Sequence, residues 1–299
     1  MKCSTSILGS LVLLALSSMA FGQLTILSGS DQATQFRLVQ DIEAFVGPSL
    51  GFAIVNKETK GVADNFNQLV DPKTPYQLAI VQADYLYYMK TMDMRLNTEK
   101  TKNLKVLIPL GYQQIHLVTK AKRGYGGLKN LRGTAVGVGS ADQGTYTTAI
   151  LIKDRSKVDF DARNTSFEDC YRELTLDKIA AFFIVSSAPV PKLDLDPQSM
   201  SDKLTLVPLE NFNDWASYYK PDTIYKSEYK WLDKDIPTYS VAAVIVVNES
   251  KLSGEDRTDL LQLKSAITSK MDTLRANGHP LWKEVNLSEW KESDWPVLK

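Results

Sequence analysis

The sequence predicts an α/β fold of mainly parallel sheets flanked by helices, and three observations carry that prediction. Short runs rich in Val, Ile, Ala and Phe alternate with segments whose apolar residues recur at helical spacing. Gly, Ser, Thr and Asp gather where each strand hands over to a helix. The chain has 299 residues and 43% hydrophobic content, enough for two domains of ordinary size with real cores. Lys plus Arg and Asp plus Glu count 35 each, so no net field recommends nucleic acid or an anionic membrane as partner. Any ligand must be held by a local site.

Residues 1–22 read as a signal peptide. Lys2 supplies a basic start, Ile7 to Leu16 is a nearly continuous apolar stretch, and Ala20-Phe21-Gly22 puts small residues around the expected cleavage before Gln23. An apolar run of about ten residues is too short for a membrane anchor, which takes roughly 20. Export is therefore expected. Cys3 leaves with the leader and Cys170 remains alone, so no disulfide framework is expected.

After the leader, LTILSG (Leu24 to Gly29) reads as a buried strand. Phe36, Val39, Ile42 and Val46 then follow at helical spacing until Gly47-Pro48, and GFAIVN from Gly51 is the next strand. In YQLAIVQADYLYYMK, Leu78 to Gln82 is a strand, and Asp84 is placed as N-cap of a helix carrying Tyr85, Tyr88 and Met89. In GTAVGVGSADQGTYTTAILI, Ala135 to Val138 is a strand and Gly144 or Thr145 opens a helix. Thr165 and Glu168 form a capping box for a helix ending near Asp177, before the strand AAFFIVS from Ala180. The late apolar run YSVAAVIVVN precedes a final amphipathic helix, DRTDLLQLKSAITSKMDTL. This return to strand and helix makes a discontinuous first domain plausible, with the middle of the chain inserted as the second.

In such sheets ligands settle where strand C-termini meet helix N-termini. The chain puts Ser28-Gly29-Ser30, Gln82-Ala83-Asp84, Ser140 to Thr145 and Ser186-Ser187 at those junctions. Free N–H groups and the positive end of the helix dipole suit each opening to an anion such as a carboxylate. The plainer reading is that these residues only cap helices. Gly137 and Gly139 do not make a dinucleotide fingerprint, because GSADQGT lacks its glycine spacing.

The segments LAIVQADYLYYM, LKNLRGTAVGVGSADQGTYTTA, DKIAAFFIVSSAPVP and YSVAAVIVVNESKL, in that order, resemble the TAXI-type solute receptors of TRAP transporters. The resemblance covers most of the chain after residue 22. It implies a type II periplasmic binding protein fold, with two lobes and a ligand cleft between them. Lobe 1 would comprise residues 23–112 and 239–299, and lobe 2 residues 113–238. It further implies a periplasmic location, TRAP membrane subunits as partners, and a small solute such as an amino acid, glutamate among them, or a dicarboxylate such as 2-oxoglutarate. Matched by motif, the pocket falls on Ser28, Gly29 and Ser30, on Gln82 and Asp84, on Ser140, Gly144 and Thr145, and on Ser186 and Ser187. Tyr85 and Tyr146 are aromatic candidates for its walls, with ordinary packing as the default for each.

Charge narrows the expected solute. Asp31, Asp84 and Asp142 stand at the turns while no basic residue stands beside any of the four, which suits an α-amino acid better than a plain dicarboxylate. No cofactor or metal is expected, since His116 and His279 have no His or Cys partner at ligand spacing. No GxSxG elbow, HExxH helix or recognisable carboxylate pair points to an enzyme, and Cys170 reads as a packing residue inside a helix. The rival readings are an enzyme on the same two-lobed scaffold and a receptor presenting ligand to a sensor without a transporter.

Overall fold

A computed structural model describes residues 22–31, 33–141, 143–194, 203–292 and 294–299. Residues 1–21 of the expected leader and Asp142 lie outside the described residues. Among the described residues, no helix is long and apolar enough to cross a membrane.

The chain opens with β1 (Gln23–Leu27), α1 (Thr34–Asp41), β2 (Ala53–Lys57), α2 (Val62–Val70), β3 (Leu78–Gln82) and α3 (Ala83–Leu96). The long strand β4 (Leu104–Lys120) leads to β5 (Ala135–Gly137), α4 (Gly144–Ser156), β6 (Asp161–Arg163), α5 (Phe167–Thr175) and β7 (Ala181–Ser186). The short strands β8 (Leu204–Leu206) and β9 (Lys220–Ile224) precede the second long strand, β10 (Ile236–Asn248). The helices α6 (Gly254–Ser269) and α7 (Met271–Asn277) follow it.

The strands run in the order β2-β1-β3-β10-β4-β7-β5-β6. Strands β1, β2 and β3 pair in parallel, as do β5, β6 and β7, which matches the sequence expectation. The two parallel groups are not separate sheets, however. Strand β10 pairs antiparallel with β3 and β4, and β4 pairs antiparallel with β7, so two crossing strands stitch the groups into one path.

Alternation along the strands buries both faces. In β3, Leu78 and Ile80 enter one apolar cluster with Leu38, Leu263 and Trp282. Ala79 and Val81 enter another with Phe66, Leu86 and Trp295. In β7, Phe183 and Val185 pack with Ile152 and Trp215, while Phe182 packs with Leu174 and Trp231. Each fully buried side chain of this size contributes about 1.5 to 3 kcal/mol relative to exposure.

Three local expectations need correction. Gln82, not Asp84, occupies the N-cap position of α3, and Asp84 lies in the first turn. On α5 the cap is Ser166 and no reciprocal box forms: Ser166 Oγ accepts from the Asp169 N–H at 3.1 Å, while Glu168 is drawn to Lys192 Nζ at 2.6 Å. The last helix breaks at Lys270 into α6 and α7. The sequence reading also passed over α2, whose nine residues offer little more than two turns of periodicity.

Candidate functional site

The ends of β1, β3 and β7 and the openings of α1, α2 and α4 converge on a cavity of about 180 Å³. Its walls come from both parallel groups. One side carries Ser28, Gly29, Ser30, Thr34, Gln35 and Gln82, and the other Gly139, Gln143, Gly144, Thr145 and Ser186.

Three of the helices that open at this cavity carry no side-chain cap. Helices α1, α2 and α4 begin at Ala33, Gly61 and Gln143 with no side-chain cap. Helix α6, remote from the cavity, is capped by Ser253, whose Oγ accepts from the Asp256 N–H at 3.1 Å. Helix α5, which brings Phe167 and Cys170 to the wall, is capped by Ser166. First-turn N–H groups have no partner inside their own helix. At α1, α2 and α4 these donors face the cavity end with no side-chain cap, a favourable setting for an anion. The capping explanation therefore fails at these openings.

Side chains pin the turns and leave donors for a ligand. Ser28 Oγ donates to Asn56 Oδ1 at 2.6 Å, fixing the β1 turn from beneath. Thr145 Oγ1 accepts from the Val185 N–H at 3.0 Å, which leaves its own O–H as a donor. Gly139 sits at φ +79°, a left-handed conformation that lets the turn after β5 fold back toward α4.

The two sides touch. Thr34 and Ser186 hydroxyls lie 3.3 Å apart, and Gln113 Oε1 on crossing strand β4 accepts from Gln35 Nε2 at 3.0 Å and Gln82 Nε2 at 3.1 Å. Gly144 abuts Gln82 so closely that a Cβ there would stand 1.8 Å from Gln82 Oε1. That same oxygen is buried without a hydrogen-bond partner among the described residues, a feature that calls for one.

Of the residues singled out from the sequence, Ser28, Gly29, Ser30, Gln82, Gly144, Thr145 and Ser186 line the cavity. Asp84 does not. It is sealed between α3 and α4, where its Oδ2 accepts from Thr148 Oγ1 at 2.5 Å and Tyr219 OH at 3.3 Å. Burial lifts its carboxyl to about 6, against the opposing pull of the Thr148 and Tyr219 hydrogen bonds. Tyr85 packs edge-on to Phe66 in the apolar core, and Tyr146 packs against the cluster around Trp215. Ser140 stands at the turn outside the lining, and Ser187 faces a different cavity.

Two cations were missed. Lys60 and Lys192 both line the cavity, from the β2 to α2 junction and from the segment after β7. Neither is next to a junction that the sequence singled out; the unread helix α2 hid the first. Lys192 Nζ also pairs with Glu168 and lies 5.3 Å from the centre of the Phe167 ring. Asp31 is exposed and outside the lining, whose described residues include two lysines.

Cys170 is buried at the cavity floor, and burial pushes its thiol up to about 12, which suits a packing residue. A Cβ on Gly137 would meet its Sγ at 2.4 Å. His116 is also buried, with Nε2 2.9 Å from Tyr229 OH, and burial lowers it to about 4. Among the described residues no cluster of metal-ligating side chains forms.

Known structures share this architecture at low identity. A periplasmic transporter superposes with a TM-score of 0.56 at 11% identity, over 85% of this chain and 84% of that one. An amino acid ABC transporter substrate-binding protein from Streptococcus pneumoniae, bound to L-arginine, gives 0.50 at 12%, over 90% and 93%. The GluR0 ligand-binding core from Nostoc punctiforme, in complex with L-glutamate, gives 0.50 at 12%, over 85% and 98%. The fold is thus the two-lobed, type II periplasmic binding protein architecture. No curated protein matches the chain by sequence. A family model does match, over residues 27–294, and the chain belongs to the NMT1-like family.

Proposed function

We propose that the protein is an exported solute receptor that captures a small carboxylate by closing two lobes around it. The observation that carries this reading is the set of helix openings, without side-chain caps, that meets at the cavity from both sides. Lobe 1 is assigned to residues 23–112 and 239–299 and lobe 2 to residues 113–238, with β4 and β10 as the crossing strands. Closure is a population shift toward the conformation in which both sides can touch the solute.

Amino acids and dicarboxylates such as glutamate and 2-oxoglutarate remain the candidate classes. Lys60, with Lys192 beside its partner Glu168, faces the cavity and Asp84 does not, which weighs toward the member without an ammonium group. The helix openings would take one carboxylate, Thr145 and Gln82 would orient it, and the lysines would meet a second acidic group. Periplasmic residence rests on the leader read in residues 1–22. Delivery to TRAP-type membrane subunits rests on the resemblance of the sequence segments, and architectural relatives include substrate-binding proteins of amino acid ABC transporters instead.

The test is thermal unfolding of the purified protein against a panel of dicarboxylates, keto acids, amino acids and uncharged sugars, since binding to the native state raises the melting temperature. The reading expects the largest rise with a dicarboxylate or keto acid. A rise with sugars alone would sink it.

A further inference from the structure

A second cavity, of about 290 Å³, lies on the reverse face of the crossing strands. Successive residues of a strand point to opposite faces. Gln113 bonds Gln35 and Gln82, which line the first cavity, while its neighbours Tyr112 and Gln114 line the second. Ser240 of β10 stands opposite Gln114 in the strand register and lines it too.

Two features point to a ligand. Ser240 is 1% exposed and its Oγ has no hydrogen-bond partner among the described residues, nor has the buried Oγ of Ser187 in the same wall. Leaving such groups unpaired is costly, so each needs a polar atom from outside. The charge of the wall is the second feature. Asp222, Glu228 and Glu284 face the cavity against, among the described residues, a single cation, Lys220, which is 3.4 Å from Glu289 and lies over the Tyr112 ring. Glu228 is held above the usual carboxylate range, by burial first and then by Asp222, Glu284 and Asp235.

We propose that this rear cavity is a second ligand site, for a small organic molecule carrying a primary ammonium group. The carboxylates balance its charge, the Ser187 and Ser240 hydroxyls accept its N–H groups, and Tyr112 and Tyr225 flank its body. An ammonium fits where an anion would not, and the described residues offer no metal-ligating cluster. The cavity spans the crossing strands and the turn at Pro280 and Leu281, so occupancy would brace the joint from behind.

Calorimetric titration of the purified protein with ethanolamine and with putrescine tests this, with butane-1,4-diol as the uncharged control. At least one amine should bind saturably at one site and the diol should not. Glu228→Gln keeps an oxygen for the Tyr225 N–H and should weaken amine binding about tenfold, as losing a charge-assisted contact does. Ser240→Ala, a smaller change, is the second variant should Glu228→Gln not fold. Absence of binding by both amines, equal binding by the diol, or unchanged amine affinity in a folded variant would overturn the proposal.

Discussion

At the scale of single residues, Asp84 shows how a polar group placed by sequence at a site can serve the scaffold instead. Its carboxylate is closed in by Thr148 and Tyr219, so Asp84→Asn should leave solute selectivity unchanged in competition binding. Its effect belongs to stability. With a carboxyl lifted from 3.8 to about 6, the folded state holds a proton that the unfolded state has released, so Asp84 makes stability fall as pH rises through that window. His116 acts oppositely: lowered from 6.5 to about 4, it makes stability rise with pH over its own window. Denaturant unfolding from pH 4 to 7 should show the Asp84→Asn variant gaining on wild type as pH rises, and a flat difference would refute the assignment. Thr145 is the reverse case, a residue that both sequence and structure bring to the cavity. Thr145→Val should weaken solute binding by about 1 to 3 kcal/mol and Thr145→Ser should recover most of it. Equal affinity in all three proteins would remove Thr145 from the site.

Among the elements, the openings of α6 and α4 make opposite predictions. Ser253 closes α6 far from the cavity, and Ser253→Ala should cost about 1 kcal/mol in stability with no change in solute affinity. Helix α4 opens without a side-chain cap, on a glycine pressed against Gln82 of the facing strand. Gly144→Ala would force the buried Gln82 amide aside, and overpacking of about 1 to 3 kcal/mol should lower solute affinity about tenfold or more. Calorimetry that found full affinity would show the facing surfaces to be looser than they stand here. Strands and longer helices were legible because β3, β5, β7 and β10 are apolar runs bounded by turn residues. Helix α2 was not, since nine residues after a charged NKETKG stretch carry too short a period. The cap was misplaced by one residue because Thr165 and Ser166 can both cap a helix, and the bond from the Asp169 N–H to Ser166 Oγ, seen only in the fold, decides between them.

For the whole molecule, the two-lobed α/β architecture could be read from alternating strands and helices and from the late return of an apolar strand. The joining of both parallel groups into one strand path could not, because β4 carries polar residues such as Gln113 and Gln114 amid its apolar ones and its pairing with β10 is remote in sequence. The same limit applies to the site: seven of the chosen residues meet at the cavity, but Lys60 and Lys192, the latter paired with Glu168, reach its wall only through folding. Closure is itself measurable, and small-angle scattering should show a smaller radius of gyration once a bound solute holds the lobes together. The most direct test is titration calorimetry of protein freed of any copurified solute by unfolding and refolding, with 2-oxoglutarate and glutamate as titrants. A carboxylate receptor should show saturable one-site binding with 2-oxoglutarate the tighter, weakened in Thr145→Val. Binding of neither acid, or equal binding by wild type and Thr145→Val, would contradict a carboxylate receptor built on these helix openings.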